Sequence, residues 1–447
     1  MKSKSGLSHS VALLLSIYFP PEPGGGASAA WNRALILKKI GFTVFVICGF
    51  PSYPFGKVLD SKYKRKIFYI ETIENVTVIR LRLVPLAYSG YLRRLIIFSN
   101  FVFSCIIYLP KVLAITGKIN VVYSIAPTIF SSFIGFIYSG IARSFFVYEV
   151  SDLWPEVFVA FESRLSPIIM GLGKAIAKLT YMTPKLILAI SNLAAEHITE
   201  EYNPRAAVAV FPIGVDPNRF ARLPKNYARA EIVKKGILSK ETENKFIVLY
   251  SGLISRGTAV ENIAHAAHKL IVEKDEGSDE ILFLIVGDGE GKQTLQQLKS
   301  KHNLTNLYLI PFQPRQIMPA IISASDVCIV SLPSEKIYNV DVPTKFYEYL
   351  AAGKPIIAIN EGELANIINS NNIGRTVRVG ETDKLVSAIK EFWHSPALNH
   401  DVQKASMITL QQFTLDTLAT KLSDLLQSET RKRSENCLTE QNQPTKK

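Results

Sequence analysis

The amino-acid sequence predicts an α/β chain of two domains, each built on a parallel sheet. Short apolar runs alternate with longer helical segments along almost the whole chain, which is typical of parallel α/β folds. The 447 residues are too many for one ordinary hydrophobic core. The alternation is interrupted at Ala209–Phe220, where Pro and Gly precede a charged, mixed segment. We therefore expect one domain on each side of this interruption.

Strand-like runs and one late amphipathic helix give the expected order of elements. The first half has runs at Val11–Ile17, Thr43–Cys48, Val76–Leu81, Val121–Ile125, Phe145–Val150 and Leu186–Ser191, and the second half at Phe246–Tyr250, Ile281–Val286, Leu307–Ile310, Val327–Leu332 and Ile356–Ile359. A last helix begins near Thr414, because leucines repeat every three or four residues from Leu415 to Leu425. The predicted ranges are 1–213 and 214–400 for the two domains, 401–427 for this helix, and 428–447 for a polar, disordered tail.

Positive charge is concentrated in one part of the first half. The chain has a formal net charge of +13, and its basic residues cluster at Lys57, Lys62, Lys64, Arg65, Lys66, Arg80, Arg82, Arg93 and Arg94. Such a cluster is either a solvated face or a surface for an acidic partner such as anionic lipid. We expect no nucleic acid partner, because no zinc knuckle, helix-turn-helix or RNA-binding aromatic motif accompanies the cluster.

Three apolar stretches raise the question of a membrane. Val11–Ile17 is short and lacks a small-residue cleavage site, so it predicts a first strand rather than a signal peptide. Leu95–Leu109 is too short to span a bilayer, and Ile119–Ala142 divides into a strand and a helix. We expect no transmembrane helix. Peripheral attachment through residues 57–111 stays open, since the basic cluster leads into an apolar helix.

The four cysteines, Cys48, Cys105, Cys328 and Cys437, lie far apart in the sequence. Their spacing matches no metal site, so no metal is expected. Scattered cysteines indicate a reducing, cytosolic compartment.

A glycine-rich loop, "GGGASA" (Gly24–Ala29), follows the first strand and precedes a helix. It fits G-x-G-x-x-A formally, but six residues separate it from the strand and no carboxylate ends the second strand. A dinucleotide site needs a tight turn and that carboxylate, so we do not expect one. Glycines such as Gly25 and Gly26 can still let the backbone approach a phosphate or a sugar. The alternative is a simple flexible loop.

Polar residues stand just past the Phe145–Val150 strand, in "DLWPE". Ligands bind at this position in open α/β sheets. Trp154 offers a flat apolar face to a sugar, and Asp152 can accept hydroxyl hydrogen bonds. Alternatively, Asp152 caps the following helix.

Loops of the second half carry candidate nucleotide-binding residues. "YSGLISRGT" places Gly252 and Arg256 after the first strand there, and an arginine can hold a diphosphate and stabilise a departing nucleotide. Gly287 and Phe312 follow the next two strands, in loops that can hold a base through backbone groups. An arginine in a loop is otherwise ordinary surface.

The stretch "VPTKFYEYLAAGKPIIA" combines charged residues with an apolar run. It predicts a helix whose start, at Thr344, favours phosphate. Lys345 and Glu348 are one turn apart and project on one side, and Glu348 can accept hydrogen bonds from both ribose hydroxyls. The alternative is a surface ion pair of roughly a few tenths of a kcal/mol.

Taken in order, "FPPEPGGGASA", "DLWPE", "PIGVD", "VGDGE" and "PTKFYEYLAAGKPIIA" resemble the family 4 glycosyltransferases, in particular the fucosaminyltransferase-like enzymes of bacterial surface-polysaccharide assembly. The resemblance extends from Val11 to about Leu426. It implies the GT-B fold, with two Rossmann-like domains facing across a cleft and a C-terminal helix returning to the N-terminal domain. It also implies transfer from a nucleotide sugar, expected to be UDP-linked, to a polyprenyl-diphosphate-linked saccharide, with retention and without a metal or resident cofactor.

The resemblance also implies a role for each domain and for single residues. The first domain binds the acceptor and the second the nucleotide sugar, and the enzyme is cytoplasmic and peripheral on the inner face of the cell membrane, held by its anionic surface. Asp152, Arg256 and Lys345 are the expected catalytic residues. The expected nucleotide-sugar contacts are Gly25, Gly26, Gly252, Arg256, Gly287, Phe312, Thr344, Lys345 and Glu348.

The sequence departs from the family's pattern at three places. Val340 stands where the first glutamate of E-x7-E belongs, with Asp341 one position later. Ile213 replaces an asparagine, and an arginine usual near Gly252 is missing. Two other functions stay open: a non-catalytic nucleotide-sugar-binding subunit of a polysaccharide assembly complex, and a sugar-nucleotide 2-epimerase.

Overall fold

The computed structural model describes residues 10–53, 56–58, 60–87, 91–125, 129–157, 167–273 and 278–441. Within these residues the N-terminal unit contains strands β1 (Val11–Leu15), β2 (Thr43–Gly49), β3 (Phe68–Ile73), β4 (Val76–Leu81), β5 (Ile119–Ile125), β6 (Phe145–Val150), β7 (Leu186–Ala189) and β8 (Ala207–Val210). They form one sheet in the order β3-β4-β2-β1-β5-β6-β7-β8.

The C-terminal unit has its own sheet. Its described strands are β9 (Phe246–Ser251), β10 (Ile281–Val286), β11 (Leu307–Ile310), β12 (Val327–Ser331), β13 (Ile356–Ile359) and β14 (Gly374–Val377), in the order β11-β10-β9-β12-β13-β14. All neighbouring strands in both sheets run parallel except β3 and β4. The predicted α/β class is confirmed.

Helices cover both faces of each sheet. The N-terminal unit has α1 (Gly25–Ile40), α2 (Tyr91–Ile107), α3 (Leu109–Thr116), α4 (Ile129–Ala142), α5 (Pro167–Met182) and α6 (Asn192–Tyr202). The rest of the chain has α7 (Lys225–Lys234), α8 (Glu261–Glu273), α9 (Lys292–Lys301), α10 (Met318–Ala324), α11 (Thr344–Ala351), α12 (Glu363–Asn371), α13 (Thr382–His394), α14 (Pro396–Leu410) and α15 (Leu415–Gln441). In β1, Leu13 and Leu15 enter one hydrophobic core while Ala12 and Leu14 enter another, as expected for a strand buried on both sides.

The strands that the sequence analysis missed, β3, β8 and β14, all lie at sheet edges. An edge strand is buried less and so lacks a continuous apolar run. β3 pairs antiparallel with β4 through a two-residue turn at Glu74 and Asn75, whose φ angles are 47° and 64°. Two successive positive φ angles are typical of a type I′ hairpin turn.

The chain passes between the two units twice, and the two passages lie side by side. Val215 N donates to Phe413 O over 2.9 Å, and Leu415 N donates to Val215 O over 3.2 Å. Gly214 has a φ of +71°, and a Cβ there would lie 2.9 Å from Phe413 O. Glycine permits both this backbone conformation and this close approach.

Helix α15 returns to the N-terminal unit, as predicted. Leu415, Leu418, Leu422 and Leu426 are buried in the same core as Leu14. Helix α14 instead packs on α11 and α13, so the return begins after α14 rather than at residue 401.

The end of α15 also differs from the sequence prediction. The helix continues to Gln441, through residues that were predicted to be disordered from 428 onward. The segment 428–441 contains neither Gly nor Pro, and a Lys432–Glu429 ion pair one turn apart supports the helix.

Arg33 of α1 holds the first passage in place from below. It is fully buried and pairs with Glu149, with Nε 2.5 Å from Oε2. Its Nη1 donates to Ile213 O over 3.0 Å and its Nη2 to Pro212 O over 2.8 Å. One buried ion pair thus fixes the carbonyl groups of the linker, in the segment where Ile213 replaces the family's asparagine.

The N-terminal unit exposes apolar side chains on neighbouring helices. Helix α4 packs against both α2 and α5. The apolar helix face consists of Leu92, Ile96, Phe103, Ile106, Ile107, Phe133, Phe136, Ile141, Leu172, Ile176 and Leu179. It therefore extends beyond the predicted range 57–111. Arg80, counted in the basic cluster, is fully buried and pairs with Glu71, so it does not contribute to that surface.

In the ranges that the structure describes, no single helix is long and apolar enough to cross a membrane. One bent pair, Leu92–Ile107 and Leu109–Thr116, meets the length and composition requirement when its two helices are taken together. The two helices meet at 60°.

Candidate functional site

The starts of α1 and α11 meet across the cleft between the two units. Thr344 Oγ1, in the first residue of α11, donates to Gly25 O over 3.3 Å. The residues that precede the two helices, Gly24 and Pro343, provide no side-chain cap. Backbone N–H groups and the positive ends of two helix dipoles are therefore directed toward one cleft, which favours an anion.

Glycines let the N-terminal wall of this cleft approach closely. A Cβ at Gly25 would lie 3.0 Å from Thr344 Oγ1, and a Cβ at Gly26 would lie 3.1 Å from the ring of Tyr18. Gly24 has a φ of +104°. The loop is thus packed on both sides rather than simply flexible, which was the alternative interpretation of its sequence.

Lys345 is a largely buried cation in the first turn of α11. Its Nζ lies 3.8 Å from the centre of the Tyr250 ring. Burial lowers the pKa of Lys345 from 10.5 to about 7, although the charge of Glu348 opposes this shift. An anion bound beside Nζ would stabilise the charged form and raise this pKa again.

Glu348 lies one turn deeper in α11 and is 16% exposed. Its Oε1 lies 4.0 Å from Nη2 of Arg315, so the residue is not the exposed partner of Lys345 that a surface ion pair requires. Burial raises the pKa of Glu348 to about 7, against the charges of Arg315 and Lys345. The sequence analysis did not identify Arg315, because a single arginine in the loop after β11 belongs to no motif. Phe312, in the same loop, is half-buried.

The loops after β9 and β10 support Lys345 from below. Gly252 has a φ of +134°, and a Cβ there would lie 2.9 Å from Lys345 Nζ. A Cβ at Gly287 would lie 1.9 Å from Gly252 O, so Gly287 lets the two loops touch. Arg256 begins a short 3-10 turn in the first of these loops, and its side chain lies outside the described residues.

Two carboxylates from different units interact on the other side of the cleft. Burial raises the pKa of Asp152, after β6, to about 6, while the charge of Arg94 lowers it. Burial raises the pKa of Asp341 well above its usual value, and the nearby charge of Asp152 adds to this effect. Arg94, predicted to face a membrane, therefore acts on the cleft. Asp341, one position after Val340, brings a carboxylate to the start of the α11 segment.

Glu22 is a further cleft residue that the sequence analysis did not identify. Its Oε1 accepts hydrogen bonds from the backbone N–H groups of Ser52 and Tyr53, over 2.8 and 2.9 Å. A Cβ at Gly24 would lie 3.7 Å from the Tyr53 ring. Burial raises the pKa of Glu22 to about 7. Glu22 thus fixes the loop after β2 against the glycine-rich loop, and its signal is a lone glutamate inside "FPPEPGGG".

Comparison with known proteins places these features in a wider context. Residues 235–407 match the family described as "Glycosyl transferases group 1". The sucrose-phosphate synthase of Thermosynechococcus elongatus is 16% identical, with a TM-score of 0.70 over 94% of this chain and 98% of that one. Anabaena HepE in complex with UDP is 17% identical, with a TM-score of 0.63 over 94% of this chain and all of that one. The predicted GT-B fold is confirmed.

A curated relative is similar over a shorter segment. WcaI of Escherichia coli (strain K12), whose name describes a colanic acid biosynthesis glycosyl transferase, is 28% identical over 173 residues. These residues are 38% of this chain and 41% of WcaI. Among the curated relatives the match spans between 41% and 62% of their own length.

The family match covers one wall of the GT-B cleft. Gly252, Gly287, Phe312 and the whole of α11 lie inside residues 235–407, whereas the glycine-rich loop and Asp152 lie outside them. The part of the GT-B chain that the structure describes contains no group of three or more His, Cys, Asp or Glu side chains that could hold a metal ion.

Proposed function

We propose that the chain is a glycosyltransferase that moves a sugar from a nucleotide sugar to a lipid-linked saccharide in surface-polysaccharide biosynthesis. The observation that carries this proposal is the placement of Lys345 and Glu348 on α11, inside a cleft whose opposite wall is Gly24–Gly26. The group 1 match of residues 235–407 supports it. The name of WcaI supports a product such as O-antigen, capsule or exopolysaccharide.

The diphosphate of the donor would lie at the start of α11. Lys345 and the uncapped N–H groups of the helix balance the charge that develops as the bond between the anomeric carbon and the diphosphate oxygen breaks. Arg256 adds a second cation from the loop after β9. A hydroxyl oxygen of the acceptor forms the new bond with retention, and its proton passes to the departing diphosphate. These cations replace the charge that a metal would supply.

The nucleoside would extend from the diphosphate toward the C-terminal sheet. Glu348 accepts hydrogen bonds from the ribose hydroxyls when it is ionised, and Arg315 stabilises that ionised form. Gly252, Gly287 and Phe312 line the loops that would receive the base. We infer that the base is uracil, supported by the UDP complex of a structure with the same fold.

The acceptor would enter from the N-terminal unit. Asp152 and Asp341 lie beside the donor position and would orient the attacking hydroxyl, while Gly25 and Gly26 approach the donor phosphates. The apolar helix face, where Phe103 is 64% and Ile107 is 71% exposed, would lie on an anionic membrane. The protein would thus be peripheral on the inner face of the cell membrane.

A donor screen tests the proposed activity. Purified protein is mixed with UDP-, GDP- and dTDP-sugars, and the shift in Tm identifies the ligand. The matching donor is then incubated with a lipid-linked saccharide extract. Transfer that is lost in Glu348→Ala supports the proposal. An epimerised free donor without any acceptor would indicate the epimerase, and donor binding without transfer would indicate the binding subunit.

Vesicle sedimentation tests the membrane surface. Vesicles of phosphatidylglycerol and phosphatidylethanolamine should bind the protein, and Phe103→Ser with Ile107→Ser should weaken the binding. Val272→Ser with Met407→Ser, which changes two exposed apolar residues elsewhere, is the matched control. Equal binding by both double variants would contradict this orientation.

A further inference from the structure

A second cationic site lies in the N-terminal unit, away from α11. A cavity of about 410 Å³ opens between the segments that follow β2 and β4. Three cationic side chains line it, those of Lys57, Lys64 and Arg82. Both β2 and β4 run parallel and end at this edge of the sheet, which is where open α/β sheets bind ligands.

The walls of this cavity are closely packed backbone. Gly56 has a φ of +72°, and a Cβ there would lie 2.2 Å from Leu86 O. Arg82 is fixed by Nε donating to Lys66 O over 2.6 Å and Nη2 donating to Tyr63 O over 2.9 Å. The cavity is therefore already formed without a ligand, which lowers the ordering cost of binding.

No carboxylate stands among the described residues that line the cavity. The acidic side chains nearest in sequence are engaged elsewhere: Glu71 pairs with Lys62 and Arg80, and Asp60 accepts from Lys62 N. The positive charge of the cavity is thus not balanced from within, which suits a ligand with more than one negative charge.

The surroundings of the cavity indicate which anion fits. On one side, Ser52 adjoins Tyr53, which packs beside Gly24 of the cleft. On the other side, Leu83 and Pro85 line the cavity, and Val84 N donates to Asn100 Oδ1 of α2 over 3.0 Å. The cavity therefore lies between the cleft and the apolar helix face. A ligand that spans it would carry a sugar at one end, phosphate in the middle and hydrocarbon at the other end.

We propose that this cavity binds the diphosphate of the isoprenoid carrier to which the acceptor saccharide is attached. The inference rests on the proposed function, and it assigns two separate diphosphate sites to the protein. The donor diphosphate belongs at Lys345, in the C-terminal unit, and the carrier diphosphate at Lys57 and Lys64. The carrier's hydrocarbon then runs over the first turns of α2, where Leu92 is 66% and Ile96 is 43% exposed.

Calorimetric titration with geranyl diphosphate tests this assignment without requiring activity. Lys57→Gln with Lys64→Gln should raise its Kd by about tenfold or more, because hydrogen bonds to charged groups contribute about that factor each. Lys234→Gln with Lys235→Gln removes the same charge from an exposed helix end in the other unit and should leave the Kd unchanged. Geraniol, which lacks the diphosphate, should not bind.

The donor site and the membrane supply the decisive alternatives. Lys345→Met should leave the Kd of geranyl diphosphate unchanged, and a Kd that rises in this variant instead of in the Lys57 and Lys64 variant would overturn the assignment. Loss of vesicle binding in the Lys57 and Lys64 variant, with geranyl diphosphate unable to compete, would assign the cavity to lipid headgroups and also overturn it.

A chemical footprint provides a second measurement on the unmodified protein. Geranyl diphosphate should protect Lys57 and Lys64 from acetylation but not Lys234. Protection would stand even if no sugar transfer is found, so the failure of the carrier site and the failure of the proposed function can be told apart. Equal acetylation with and without the ligand would reject the site.

Discussion

Replacing Lys345 with methionine should make the free protein more stable while weakening the binding of nucleotide. The pKa of Lys345 falls from 10.5 to about 7 because the side chain is buried. At about 1.4 kcal/mol for each tenfold change in proton affinity, this shift sets an upper bound of about 5 kcal/mol on the burial cost. Because Lys345 is only partly shielded from water, we expect Lys345→Met to raise the free energy of unfolding by about 1–3 kcal/mol.

Binding of UDP should change in the opposite direction. Loss of a cation from a diphosphate costs about 1.5–3 kcal/mol, so the Kd should rise by about ten- to a hundredfold. Both quantities come from one protein preparation, by urea unfolding and by calorimetric titration.

Lys354 provides a matched control for this prediction. It is another buried lysine of the same unit, and burial lowers its pKa to about 8. However, its Nζ donates to Ser323 O over 2.7 Å and to Ser325 O over 2.6 Å. Lys354→Met would leave two buried carbonyl groups unsatisfied and should destabilise the protein by about 1–3 kcal/mol. If both methionine variants lost stability, or if Lys345→Met bound UDP as the wild type does, the reasoning would be refuted.

The pH dependence of Lys345 follows from the same shift. Between about pH 7 and its unfolded pKa, the unfolded chain holds a proton on Lys345 that the folded chain lacks. This term therefore makes stability rise with pH in that window. A bound diphosphate raises the pKa again, so UDP binding at about pH 8 should take up protons. Titrations in buffers of different ionisation enthalpy should show this uptake in the wild type, and less of it in Lys345→Met.

Three further substitutions test the scaffold. Gly252→Ala should destabilise by about 1–3 kcal/mol because its φ is +134°, whereas Gly171→Ala, an exposed helical position with nothing within 4 Å, should stabilise by about 0.5–1 kcal/mol; urea unfolding compares them. Arg33→Met should cost about 3–5 kcal/mol by leaving Glu149 buried without its partner, and a loss below about 1 kcal/mol would contradict this account. Glu363→Ala should cost about 1–2 kcal/mol because the carboxylate caps the start of α6 from the other unit, and X-ray scattering should show the two units further apart.

The sequence was sufficient where an element is buried on both sides. Strands such as β10, all of whose residues are buried, carry a continuous apolar run that can be recognised without neighbours. Edge strands such as β14 share their burial with solvent, so only the finished sheet shows that they exist. The fold class and the order of the central elements were therefore predictable, and the sheet edges were not.

The candidate site divides in a similar way. Lys345 and Glu348 belong to one helix, so their spacing alone placed them on one side. Asp152 and Asp341 are distant in sequence and belong to different units, and their interaction depends on how the units meet. Arg315 and Glu22 were missed because each is a single residue in a loop, and their partners come from other segments.

The return of α15 also determines when the N-terminal unit can finish folding during synthesis. Its core includes Leu418 and Leu422, which the ribosome makes only after the whole C-terminal sheet. Domains usually fold in the order in which they emerge. Here the earlier half must wait, with an incomplete core, until the later half has been translated. Ribosome-bound chains that stop at Leu410 should therefore hold a folded second half beside a first half that proteases still cut.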